Sequence, residues 1–248
     1  MSKTIILIVI LFFIMSCTAI YNPATQKKEY YFIDEEMEFM IGKNMAESVQ
    51  KQNKLIKDKA IQERLNQIGQ KIAFVSDRNQ LKYTFYIVDS DEINAFALPA
   101  GYIFVNRGLI EKTSPDELAF VLGHEIGHVS ARHSVKRLQS TLGINLLLSI
   151  ALRNPNYADI QQAVSVVYEI VSLGYSRQDE YLADYLGVKY SSKAGYDPKA
   201  AFSLFEKMAK DKKENQRLVF LMSHPPLEKR IEKIKETLNK EKSQFNPS

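Results

Sequence analysis

The sequence predicts an α+β fold that is mostly helical, with a small antiparallel sheet next to the helix that carries the chemistry. Three observations predict it. Long stretches repeat their apolar residues at helical spacing, whereas the region 82–105 alternates and turns as short strands do. A pentapeptide inside one of the helical stretches, His124-Glu125-Ile126-Gly127-His128, has metal-ligand spacing.

Composition sets the bounds. With 248 residues, 45% hydrophobic and 25% charged, the chain can bury one sizeable core. Its 33 basic and 29 acidic residues leave a net charge of only +4. That balance, with no basic stripe interleaved with aromatics, argues against a nucleic-acid partner.

The N-terminus reads as a targeting segment. Lys3 is followed by an apolar run from Ile5 to Met15 and then by Ser16-Cys17, which makes residues 1–16 a secretory signal peptide. The run is too short to span a bilayer as a mature helix. Ile14-Met15-Ser16-Cys17 resembles a bacterial lipobox, which implies cleavage before Cys17 and lipid on its sulfur. Two or more acyl chains there would give a stable membrane anchor. Cys17 is the only cysteine, so none is left for a disulfide. Thr18 stands where an aspartate would favour retention at the inner membrane, so the expected address is the outer membrane, facing the periplasm. Residues 17–28 read as a lipidated tether, 29–240 as the catalytic domain and 241–248 as a disordered tail.

The elements follow in order. Glu29 to Gln52 has a helical stripe of Phe32, Met37, Ile41, Met45 and Val49. Asp58 caps a second helix reaching Phe74, with Ile61, Leu65, Ile68 and Ile72 on one face. Lys82 to Asp89 alternates as a strand, Ile93 to Leu98 is a short apolar run, Pro99-Ala100-Gly101 is a turn, and Tyr102 to Val105 is a further strand. Ser114-Pro115-Asp116-Glu117 is a capping box with proline at the first helical position, opening a helix that runs through the pentapeptide to about Arg137. The apolar stretch 138–152 reads as a helix that is either buried or membrane-touching, with burial favoured, and Ala158 to Leu173 as an amphipathic one. Gln178 to Ser191 is helical and ends at Gly195, and Asp197-Pro198 opens the next helix, to about Lys210. Ser223-His224-Pro225-Pro226 breaks the chain before a final charged helix with a solvated face.

His124 and His128 lie four residues apart, about 400° round a helix, and so share one face. Their imidazoles can hold one metal ion, with Glu125 beside it to take a proton from the attacking water. A catalytic zinc needs a third protein ligand. His133 sits about 140° round a straight helix from His128, which points it away from the metal. It and Arg132 are read as making structural hydrogen bonds. Glu180 and Asp184, at i and i+4 on a later helix, could supply one ligand and one carboxylate that orients a ligand histidine. Small Ala183 would let that helix approach closely. Spacing alone leaves this pair open between a metal role and a surface acid pair.

His124-Glu125-x-x-His128 followed by Glu180-x-x-Ala183-Asp184 resembles the gluzincin peptidase family M forty-eight, of the HtpX and CAAX-prenyl-protease type. Asn94 to Gly101, Asn106-Arg107-Gly108-Leu109 and Ser223-His224-Pro225 match it too, and the resemblance covers about 35–235. It implies a zincin-like fold, one Zn2+ per chain and Glu180 as the third ligand. It also implies that the strand Asn94, Ala95, Phe96, Ala97 holds substrate in extended form. For His224 it suggests either a hydrogen bond to the oxyanion of the transition state or a blocking fourth ligand on the metal. The lack of apolar spans after the signal points to the lipoprotein or periplasmic branch, whose members act in envelope protein quality control. The expected function is therefore a zinc endopeptidase, with unfolded or misassembled envelope proteins as substrates and the membrane as partner through Cys17. A non-catalytic envelope chaperone or assembly factor has no need of Glu125. A cell-wall hydrolase is disfavoured by the absence of wall-binding repeats and of any tryptophan.

Overall fold

The computed structural model describes residues 18–141, 174–211 and 229–238 except 237, together with isolated positions 162 and 165. Cys17, His224 and most of the apolar stretches 138–152 and 158–173 lie outside the described residues.

The described chain begins with a hairpin, not a tether. Strands β1 (Thr18–Asn22) and β2 (Lys27–Tyr31) pair antiparallel, with Thr18 opposite Tyr31 and Asn22 opposite Lys27. Asn22-Pro23 has the composition of a linker, yet the Asn22 side chain accepts from the backbone N–H of Ala24 and closes the turn. The helix expected from Glu29 therefore starts later. Helix α1 (Glu35–Gln52) is capped by Asp34, whose carboxylate accepts from the N–H of Met37. Helix α2 (Lys59–Phe74) is capped by Asp58, as expected.

Three short strands form the central sheet. They are β3 (Thr84–Val88), β4 (Ala95–Leu98) and β5 (Tyr102–Asn106), in the order β3-β5-β4. β4 and β5 pair antiparallel through the turn at Pro99–Gly101, as expected, but β3 runs parallel to β5. The sheet is thus mixed. Between β3 and β4 the chain crosses back through residues 89–94 instead of turning tightly. Ala100 and Gly101 in the turn have φ of 61° and 88°. Phe85, Ile87, Ala95, Ala97, Ile103 and Val105 face one core cluster, while Val88, Leu98 and Phe104 face a second cluster under α1. The period of two thus places a core on each side of the sheet.

Helix α3 (Arg107–Lys112) leads to α4 (Pro115–Ser130), which is buried over almost its whole length. Its capping box is present: Ser114 Oγ accepts from the Glu117 N–H, and the Glu117 carboxylate accepts from the Ser114 N–H. α4 was expected to continue to Arg137. It stops at Ser130, because Arg132 adopts φ 54°, and a separate helix α5 (His133–Thr141) follows. A buried ionic hub holds Arg132 in that conformation. Its guanidinium donates to the Ile33 carbonyl, pairs with Glu38 at 2.8 Å and stacks on the Tyr31 ring at 3.9 Å. Glu38 also accepts from Arg78 and from the Ala100 N–H, which ties α1 to the sheet turn and to the end of α4.

Helix α6 (Arg177–Lys193) packs along α4, and α7 (Ala200–Asp211) packs behind it. Close approach of α4 and α6 needs small residues. A Cβ on Gly123 would lie 2.9 Å from the Gly187 carbonyl oxygen, and one on Gly127 would lie 3.3 Å from the Ala183 backbone. The expected role of Ala183 as a spacer is one part of this four-residue seam.

Candidate metal centre

Little more than one turn of α4 and one of α6 build the site. His124 and His128 project from α4 towards Glu180 on α6, and all three are buried. His124 Nε2 and His128 Nε2 are 3.1 Å apart. Glu180 Oε2 lies 3.7 Å from the first nitrogen, and Oε1 lies 3.5 Å from the second. Ligands at zinc bond lengths in a tetrahedron sit about 3.4 Å from one another. The separations of the two nitrogens and the carboxylate oxygens lie within about 0.3 Å of that spacing.

The hydrogen bonds around the histidines make the same case chemically. His124 Nδ1 faces Asp184 Oδ1 at 3.0 Å, and a carboxylate there requires the Nδ1–H tautomer. Nε2 of His124 is then a lone pair. His128 Nδ1 faces His133 Nδ1 at 2.8 Å, and His133 Nε2 lies 3.4 Å from Asp179 Oδ1. With His133 donating to Asp179 through Nε2, its Nδ1 accepts from His128, and Nε2 of His128 is a lone pair as well. Two imidazole nitrogens and a carboxylate thus converge on one point inside a water-excluded core, a donor set that suits a metal cation. Burial lowers the His124 pKa although Asp184 opposes it, which favours the neutral ring that a metal ligand needs, and burial pushes the neighbouring His133 down to about 4.

His133 is where a straight-helix reading fails. The break at Arg132 turns α5 so that His133 comes back to His128. It is not part of the three-donor cluster, as expected, but it orients a member of that cluster. Tyr175 completes this side, stacked on the His128 ring at 4.1 Å and sharing a 2.6 Å hydrogen bond with Ser134.

Arg230 was not singled out in the sequence. Its guanidinium, fully buried, donates from Nε and Nη2 to both oxygens of Asp184 at 2.7 Å, and Nη1 lies 3.2 Å from Glu180 Oε2. Burial alone would raise the Asp184 pKa, but the charge and hydrogen bonds of Arg230 hold it below the usual carboxylate range. The available signal was an arginine in the charged C-terminal helix, six residues after His224. Nothing in the helix periodicity distinguished it from the solvated lysines around it.

Glu125 is buried in the same turn of α4, and its charge is felt at both the Tyr175 hydroxyl and the Arg230 guanidinium. The expected substrate strand falls on β4. It occupies one edge of the sheet, and among the described residues no strand pairs with its outer side. Ala95 and Ala97 are buried and Phe96 is half-buried, while the Asn94 carbonyl accepts from the Asn106 N–H.

Comparison with known proteins agrees with this arrangement. The chain is 32% identical over 180 residues to a protein named mitochondrial metalloendopeptidase OMA1 from Schizosaccharomyces pombe, a match covering 70% of this chain and 52% of that one. It is 27% identical over 192 residues to the beta-barrel assembly-enhancing protease of Escherichia coli (strain K12), covering 71% and 39% of the two chains. The chain thus spans about half the length, or less, of these curated relatives. The model of Peptidase family M48 matches residues 59–238, which include both histidines, Glu180 and Arg230. On that match and this metal centre, the chain belongs to peptidase family M48.

Proposed function

We propose that this protein is a zinc-dependent endopeptidase of the bacterial cell envelope that cuts unfolded or misassembled proteins and is held at the membrane by lipid on Cys17. The observation that carries the peptidase reading is the convergence of His124, His128 and Glu180 on one point, with Glu125 in the same helical turn. In this reading the three residues are the zinc ligands, and Asp184 orients His124. When bound, zinc would supply Lewis acidity towards the scissile carbonyl and the attacking water. The chain's residues do the rest. Glu125 accepts the proton of the attacking water and passes it to the leaving amine. The open edge of β4, Asn94 to Ala97, takes an extended substrate through main-chain hydrogen bonds, so selection depends on backbone exposure more than on side chains. That suits unfolded chains. The similarity to a beta-barrel assembly-enhancing protease supports envelope substrates. His224 is assigned to the oxyanion or to a latent state, and His224→Ala separates the two by losing or gaining turnover.

The test is cleavage of casein by the purified protein with added zinc, against Glu125→Gln. Cleavage by the parent, reduced at least about 100-fold in the variant while zinc binding is kept, supports the reading. Equal cleavage by both removes Glu125 as the base. Full cellular function of Glu125→Gln would favour a non-catalytic assembly factor.

A further inference from the structure

We infer that the outer face of the N-terminal hairpin is a membrane-docking surface that lies in the lipid headgroup layer and fixes the height of the metal centre above the bilayer. This rests on the proposed lipidation of Cys17. The strand register sorts the hairpin into two faces. Directly paired residues share a face and neighbours alternate, so Asn22, Glu29 and Tyr31 lie on one side and Ala19, Tyr21, Lys28 and Tyr30 on the other. The first face is bound to the body. Asn22, Glu29 and Tyr31 hydrogen-bond to one another, Glu29 pairs with Lys136 of α5 at 2.6 Å, and Arg132 stacks on Tyr31. Gln139 of α5 adds hydrogen bonds from the N–H groups of Phe32 and Ile33.

The second face is exposed at Ala19, Tyr21, Lys28 and Tyr30, with Tyr21 also bordering a cavity that Arg78 and Arg132 line. Tyr21 is 57% exposed and Tyr30 65% exposed, in diagonal positions across the two strands, and Lys28 stands beside them. Two exposed tyrosines with a lysine are the side chains that partition to a membrane–water interface, where the ring is apolar and the hydroxyl or ammonium is wet. Chain order says what covers them. β1 begins at Thr18, the residue directly after Cys17. A lipid-bearing Cys17 therefore has no linker to lift the hairpin away. A single extended residue spans about 3.5 Å, less than the roughly 5–7 Å thickness of a headgroup layer. Because the inner face is clamped to Arg132 and α5, and His133 in α5 touches His128, the docking surface is joined to the metal centre by packed structure.

The chain contains no tryptophan, so one can be placed as the only indole. Tyr30→Trp and Tyr21→Trp probe the outer face. Lys112→Trp is the reference, exposed at the end of α3 before the N-terminus of α4, a helix about 24 Å long whose other end leads to Arg132. Each lipidated full-length variant is reconstituted into phosphatidylethanolamine/phosphatidylglycerol vesicles carrying a headgroup nitroxide. The expected result is a blue-shifted, quenched indole at positions 30 and 21, with at least about two-fold more quenching than at 112. Equal quenching at all three positions in vesicle-bound protein overturns the docking surface and leaves the anchor standing, with a protein partner as the remaining occupant of that face. Flotation of Cys17→Ser against the parent tests the anchor separately: if both float alike, the lipidation reading falls and this inference with it.

Discussion

His124 and His128 were legible in the sequence because one helical turn fixes their geometry, whatever the rest of the fold does. Glu180 was legible only through a family resemblance, since the approach of α6 to α4 is a tertiary fact. Arg230 was not legible: its surroundings in sequence are lysines and glutamates, and its burial is imposed by the two carboxylates it meets. Those carboxylates make a prediction. Arg230→Ala leaves Asp184 and part of Glu180 buried without their cation, a loss of about 3–5 kcal/mol by analogy with broken buried ion pairs. Thermal unfolding should show it, and Arg230→Lys should recover only part, since an ammonium cannot reproduce the two-point grip on Asp184. An unchanged midpoint for Arg230→Ala would mean that water serves the carboxylates equally well. His133 makes a second prediction. It sets the tautomer of His128 from behind, so His133→Phe should weaken zinc binding about 10–100-fold in a chelator competition while the helical circular dichroism stays intact. Unaltered affinity would reduce His133 to a packing residue.

At the scale of elements, capping boxes, turn residues and apolar stripes located most helices to within a few residues. The misreading of α4 has a physical cause. Nothing in Val129-Ser130-Ala131-Arg132 is a helix breaker, and the left-handed conformation of Arg132 is imposed by its distant partners Glu38, Ile33 and Tyr31. The parallel pairing of β3 was hidden for a similar reason, since alternation reports a strand but not its direction. The α4–α6 seam is the element-level feature on which the metal centre depends, because it sets the distance from the histidines to Glu180. Gly123→Ala tests it with two effects of opposite sign. Alanine favours a helix over glycine by up to about 1 kcal/mol. The added methyl, however, would sit 2.9 Å from the Gly187 carbonyl oxygen, and such overpacking costs about 1–3 kcal/mol. The contact is with backbone, which cannot rotate away, so the clash wins. The variant should melt several degrees lower and bind zinc more weakly as the helices part. A midpoint equal to or above the parent's would show that the seam has slack.

Over the whole molecule, carboxylates at two ends join peripheral elements to the central helices. Glu29 holds the hairpin to α5 through Lys136, and Glu117 holds α7 to the start of α4 through Lys207 and Ser203. The first attachment was illegible because Asn22-Pro23 and Lys27-Lys28 have a linker's composition, and the inward face shows only once β1 and β2 are paired. In both carboxylates burial pushes the pKa up, but the hydrogen bonds and charge of their partners outweigh it and hold the folded value below the usual glutamate range. A folded pKa below the unfolded one gives stabilisation that is complete above the unfolded value of about 4.5 and is lost as pH falls through the folded value. The parent protein should therefore lose both attachments together in acid. The direct check is the stability difference between the parent and the double variant Glu29→Gln, Glu117→Gln, followed by urea unfolding from pH 7 to pH 3. The difference should be constant down to about pH 5 and shrink as pH falls further and the carboxylates take up protons. Histidine and other carboxylate titrations are common to both proteins and cancel in that difference. A gap of the same size at pH 3 as at pH 7 would show that the two glutamates act through shape and neutral hydrogen bonding, with no contribution from their charge.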